Sequence, residues 1–188
     1  MSAMTSSHPM SKISTGRIAL LITLAIESVF FVTALVAYAA LRDQVNWNVP
    51  HTLARLTIPL VNSGILLVSV FVARWSTSAI RQDNQSTLRV GLLITLLLGL
   101  IFVGGQIYEF GHAGLRIDDE AFGGVFFTLL GFHAVHVLAG VVFLALNLIR
   151  ANLGDFNAGR YEAVELGNWF WYYVAAVWAV LFVAIYVV

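Results

Sequence analysis

The chain has no cysteine and very little charge. Without cysteine there is no disulfide, no thiolate metal site and no cysteine nucleophile. Only 11% of its 188 residues are charged, against about 25% in soluble domains. Ten basic residues balance ten acidic ones, so no net charge points to nucleic acid as a partner. Also missing are a catalytic triad, a phosphate-binding loop, a dinucleotide fingerprint, an internal repeat and any low-complexity segment. What remains is apolar: 60% of the residues are hydrophobic and the mean hydropathy is +0.87. This composition is that of an integral membrane protein of one bundle.

A membrane helix needs roughly 20 mostly apolar residues. Five segments qualify: 18–41, 57–75, 90–112, 122–149 and 166–188. The expected fold is therefore all-α, a single five-helix membrane domain over 18–188 after a polar N-terminal segment, 1–17. The first run is too long for a signal-peptide core and no small-residue cleavage site follows it, so it reads as a retained helix. Lys12, Arg17, Arg74, Arg81, Arg89, Arg150 and Arg160 fall on one side of such a bundle, and Arg42, Arg55 and Arg116 on the other. The excess of basic residues predicts a cytoplasmic N-terminus and an outward C-terminus.

Ionisable groups inside these spans are the candidate site. Charged forms cost about 2.5–3.5 kcal/mol there on insertion scales, so each must face another helix or a water-filled pocket. Glu27, ten residues into the first span, is either a proton-handling carboxyl or a structural acid bonded to a neighbouring helix. Gln106 and Glu109 lie three apart on one face of the third span, with His112 a step further on. His133 and His136 lie three apart in the fourth. A zinc site needs three or four ligands, and no other span has a histidine in its middle, so the two read as a hydrogen-bonding pair locking the fourth span to its neighbours. Gly123, Gly124, Gly131 and Gly140 place that span at a packing seam. Trp169 to Tyr173 read as an aromatic belt, with Trp178 too deep for it and packed on a neighbour. Arg150 is either an ordinary interface cation or a ligand for a lipid phosphate.

In order along the chain, these residues resemble subunit III of the haem–copper oxygen reductases, in its short five-helix bacterial form. Glu27-Ser28-Val29-Phe30-Phe31 is similar to that family's Ser-Glu-x-x-Phe-Phe, with the first two residues exchanged. Pro59-Leu60-Val61-Asn62-Ser63 resembles its Pro-Leu-x-Asn-Thr, and Gln106-Ile107-Tyr108-Glu109-Phe110 its Gln-x-x-Glu-Tyr. Gly131-Phe132-His133-Ala134-Val135-His136-Val137 resembles its Gly-Phe-His-Gly-x-His-Val. Glu165, Trp171, Val174 and Trp178 fit its closing pattern, but Tyr172 and Ala175 stand where the family often has His and Asp.

The resemblance implies a non-catalytic subunit of a proton-pumping cytochrome c oxidase in the bacterial inner membrane. It implies no cofactor on this chain, with haem and copper on partner subunits. It implies packing against oxidase subunit I and other oxidase subunits, bound phospholipid at Arg150 and Trp171, and sustained proton uptake, and it leaves room for a larger respiratory supercomplex. Glu27, Gln106, Glu109, His133, His136 and Glu165 would be its buried polar residues. A quinol oxidase or a nitric-oxide-reductase-associated homologue fits the same motifs. A membrane haem carrier using His133 or His136 with His112, and a proton-coupled carrier using Glu27 and Glu109, are more distant readings.

Overall fold

A computed structural model of the protein describes residues 14–42, 57–112 and 120–187. Five α-helices account for nearly all of them: α1 (Thr15–Arg42), α2 (Thr57–Arg81), α3 (Gln85–His112), α4 (Glu120–Asn152) and α5 (Glu162–Phe182), the last closed by a π-helical turn, Val183–Val187. Each is long and apolar enough to cross a membrane. Among the described residues there is no strand, only one isolated bridge between Asn157 and Arg160.

The helices run further than the apolar runs alone predict. α2 extends to Arg81 and α3 starts at Gln85, so only Gln82, Asp83 and Asn84 connect them. Asp83 takes a left-handed φ of 58°, and the Asn84 side chain accepts from the Thr87 amide at 3.0 Å to start α3. Arg81 and Arg89 therefore lie on helices, not in a loop. The backbone ladder continues past the apolar runs, and the side chains find partners there: Arg81 on Glu165, and Arg89 on the Ala151 carbonyl at 3.0 Å. α5 begins at Glu162, four residues before the expected span, with Glu162 and Glu165 in its first turn. Carboxylates are favoured at that end of a helix dipole. The basic residues 17, 81, 89 and 150 gather at one end of an antiparallel up-and-down bundle, here termed the arginine end.

α2, α3, α4 and α5 form the packed body, and α1 lies along its flank with only Phe31 and Tyr38 buried. In lipid, apolar side chains gain little by leaving the tails, so packing and interhelical hydrogen bonds hold helices together. Both are present. A ladder joins the antiparallel pair α2 and α5: Trp178 donates to Ser63 at 2.9 Å, Trp171 to Ser69 at 2.9 Å, and Asn168 to Thr77 at 2.6 Å and to the Ala73 carbonyl at 2.9 Å. Trp171 fills the centre. A methyl group at Gly99 of α3 would sit 2.8 Å from its ring, and one at Gly140 of α4 would sit 2.7 Å from it. Gly140 thus serves the expected seam. Gly131 does not, since open space faces it.

Candidate functional site: the buried polar groups of the bundle

The imidazole of His136 ties α4 to α1. Its Nδ1 lies 2.8 Å from the Phe132 carbonyl one turn back, and its Nε2 lies 3.0 Å from Glu27 Oε2. A carbonyl oxygen only accepts, so Nδ1 carries a proton. Glu27 is half-buried, with 28% of its side chain exposed on the flank of the bundle. Next to it, Ser28 and the Tyr173 hydroxyl of α5 are 3.3 Å apart. Phe31 and Phe132 complete the surround, with ring centroids 5.4 and 4.7 Å from His136.

His133 differs from the expected hydrogen-bonding pair. It is fully buried and neither ring nitrogen has a protein partner. Aromatic rings enclose it: Trp178 stacks on it at 5.5 Å, and the edges of Phe31 and Phe102 each stand at 6.4 Å. Three residues advance a helix by 300°, leaving the two imidazoles about 60° apart around α4. That angle sends His136 to α1 and His133 into the core. His133→Leu removes no hydrogen bond seen here and also removes two unsatisfied atoms, a gain of about 1–3 kcal/mol for such groups set against lost ring stacking. Its thermal stability should stay within about 1 kcal/mol of wild type in detergent unfolding. A large loss would mean that His133 has a partner outside the chain.

Gln106 and Glu109 do share a buried face of α3, and the Gln106 amide donates to Glu109 at 3.2 Å. The other Glu109 oxygen accepts from the Tyr186 hydroxyl. Tyr186 sits in the terminal π-helical turn and was not legible as a site residue. His112 leaves this face: it bonds the Tyr108 carbonyl at 2.8 Å and stacks on the Tyr108 ring in the open. Lys12, Arg55 and Arg116 of the charge count lie outside the described residues.

Glu165 is the junction of the arginine end. It is nearly enclosed and receives Arg17 from α1 at 2.7 Å and Arg81 from α2 at 2.6 Å. Ser14 adds a bond to Glu162 beside it. Asn147 of α4 donates to the Ala163 carbonyl at 3.0 Å. Asn147 and Asn168 were not singled out in the sequence, although an amide inside an apolar run is the same kind of signal as Glu27.

Arg150 pairs with Asp155 at 3.2 Å and covers the Phe156 ring at 4.8 Å. It remains 40% exposed, beside a hollow of about 400 Å³ that Gly16, Arg160 and Leu166 also line. Trp171, grouped with Arg150 for lipid, is corrected here. It is wholly enclosed between Gly99 and Gly140, because both neighbouring helices present glycine at its level. Among the described residues no group of three or more His, Asp or Glu side chains is placed to hold a metal ion.

The geometry defines a multi-pass membrane protein in which buried polar side chains tie helices to one another. The comparisons with known proteins are more specific. The family model described as cytochrome c oxidase subunit III matches residues 15–188, and this chain belongs to that family. It is 38% identical over 129 residues to cytochrome c oxidase subunit 3 of Spodoptera frugiperda, covering 69% of this chain and 88% of that sequence. It is 31% identical over 170 residues to the Thermostichus vulcanus protein of the same name, covering 89% and 85%. The Locusta migratoria relative is 37% identical over 131 residues, or 70% of this chain, and there the match spans only 50% of the relative's length.

Proposed function

We propose that the chain is a cofactor-free subunit III of a proton-pumping haem–copper terminal oxidase. It lies in a bacterial inner membrane with the arginine end inside, packs on the catalytic subunit, binds phospholipid and sustains proton uptake. The family match over residues 15–188 carries this reading. Two features of the molecule support it. The flank of α1 exposes Ile22, Ile26, Val29, Val32 and Val36, an apolar stripe suited to lipid or another membrane subunit. The guanidinium of Arg150, half-exposed beside its hollow, suits a phosphate at the interface. The lipid contact rests on Arg150 alone, with Trp171 supporting the helices behind it.

Purification in mild detergent should bring down a partner that carries haem and copper. A pyridine haemochrome assay on the separated subunit should find no haem. Recovery of the chain alone from membranes that hold no such partner overturns the reading, as does stoichiometric haem on the isolated chain. Glu27→Gln should leave the complex assembled, because an amide matches a carboxyl in shape and can hydrogen-bond His136 in its place.

A further inference from the structure

At the arginine end, α2 and α5 leave a polar hollow of about 210 Å³ between them. Arg74, Ser78 and Arg81 of α2 face Glu165, Asn168 and Tyr172 of α5 across it. Helical spacing puts these residues together. Positions 74, 78 and 81 fall on one face of a helix, and so do 165, 168 and 172. The two helices are antiparallel, so Arg81 meets Glu165 and Arg74 comes to the level of Tyr172. The hollow beside Arg150 is a different one. Glu162, Ala163 and Leu166 line that one, and they stand on another face of α5.

The floor of this hollow is fixed and its walls are cationic. Asn168 donates to Thr77 at 2.6 Å and to the Ala73 carbonyl at 2.9 Å, and the Tyr172 hydroxyl bonds Thr77. Both oxygens of Glu165 are taken, one by Arg17 and one by Arg81. Arg81 also reaches Tyr161, yet 56% of its side chain stays exposed. Arg74 is exposed, and among the described residues its guanidinium has neither a hydrogen bond nor an ion pair. A guanidinium carries five N–H donors in a planar fork. Two such forks on one wall, with a single carboxylate already shared between two arginines, leave an excess of positive charge and of donors. An apolar track leads away from them. Leu67, Phe71 and Trp75 make an exposed stripe on α2, running from beside Arg74 towards the middle of the bilayer.

We propose that the hollow between α2 and α5 is a phosphate site, with Arg74 as its principal ligand and Arg81 as the second. A tetrahedral phosphate accepts from two forks at once, which a flat carboxylate does less well. The group is carried by a lipid or is free phosphate. The adjoining stripe favours the lipid, whose acyl chain would lie on Phe71 and Leu67. This site goes beyond the Arg150 contact and does not depend on it.

The assembled complex is washed in mild detergent to remove loosely held lipid, with and without inorganic phosphate in the buffer. Phosphorus is then counted per complex after solvent extraction, which sends lipid phosphorus to the organic phase and free phosphate to the aqueous one. Arg74→Gln should hold about one phosphorus fewer than wild type. It should unfold at the same temperature, since Arg74 gives up no bond among the described residues. A deficit in the organic phase assigns the site to a lipid, and a deficit confined to the aqueous phase assigns it to the ion; either supports the site. Arg150→Gln should leave this phosphorus in place, so failure of the Arg150 contact and failure of this one are read apart. Phenylglyoxal labelling of Arg74, followed by peptide mass, should rise when lipid is stripped and fall again on adding phosphatidylglycerol vesicles or inorganic phosphate. Equal phosphorus counts in wild type and Arg74→Gln overturn the site. So does an Arg74 that stays unlabelled after lipid is stripped, which marks a carboxylate of a partner subunit on the guanidinium instead.

Discussion

Trp171→Ala should destabilise the bundle more than any other single truncation, by about 3–5 kcal/mol, the usual range for removing a buried large aromatic side chain. Four helices lose contact at once. The indole bonds Ser69 of α2 at 2.9 Å and fills the space that Gly99 of α3 and Gly140 of α4 leave open beside α5. In a bilayer the loss is one of packing, because lipid tails solvate apolar groups as well as the protein interior does. Trp171→Phe removes the hydrogen bond, worth about 0.6–2 kcal/mol, together with part of the ring, and should cost less than the alanine variant. Gly140→Leu tests the same seam from the opposite side: its Cβ would stand 2.7 Å from the ring, and overpacking of this kind costs about 1–3 kcal/mol. Unfolding in mixed micelles followed by circular dichroism reads all three. Equal losses for the alanine and phenylalanine variants would show that the hydrogen bond, and not the filled volume, matters.

The second large effect is expected at Glu165. Its carboxylate is 5% exposed and bridges two guanidinium groups from different helices, one on each oxygen. Glu165→Gln leaves Arg17 and Arg81 facing each other across a neutral amide. Breaking a fully buried pair costs about 3–5 kcal/mol, but these arginines are 40% and 56% exposed and can turn towards water. The loss is therefore expected at about 1–3 kcal/mol. Arg17→Gln or Arg81→Gln alone leaves one partner in place and should each cost about 1 kcal/mol or less. The damage should be local. Because α1 buries only Phe31 and Tyr38 among its described residues, hydrogen exchange should rise at the start of α1 before it rises in α3. Exchange that rises uniformly over all five helices would contradict this.

The five spans were legible because a bilayer demands long apolar runs, and the chain offers five of them. Their ends were not. The α2–α3 link shrank to three residues because Arg81 and Arg89 found partners on α5 and α4, and hydropathy carries no information about partners. Among the polar residues, Glu27 and His136 stand out by type and depth, yet 109 residues separate them, and only the rotation of α1 and α4 about their axes brings them together. His133 shows the same limit in reverse. It has the sequence signature of His136 but points 60° away, into rings and not to a carboxylate. Trp171 reads as an interface aromatic because five aromatic residues stand close together, and only the glycines of two other helices make it the centre of the core.

The sequence by itself determined the all-helical membrane class and the family, since both rest on residue type and order along the chain. The tertiary structure decided which buried acid meets which base, which tryptophan is enclosed and which arginine still faces outward. Those outcomes depend on helix rotation and close approach, and a fraction of a turn or a single methyl group is enough to change them.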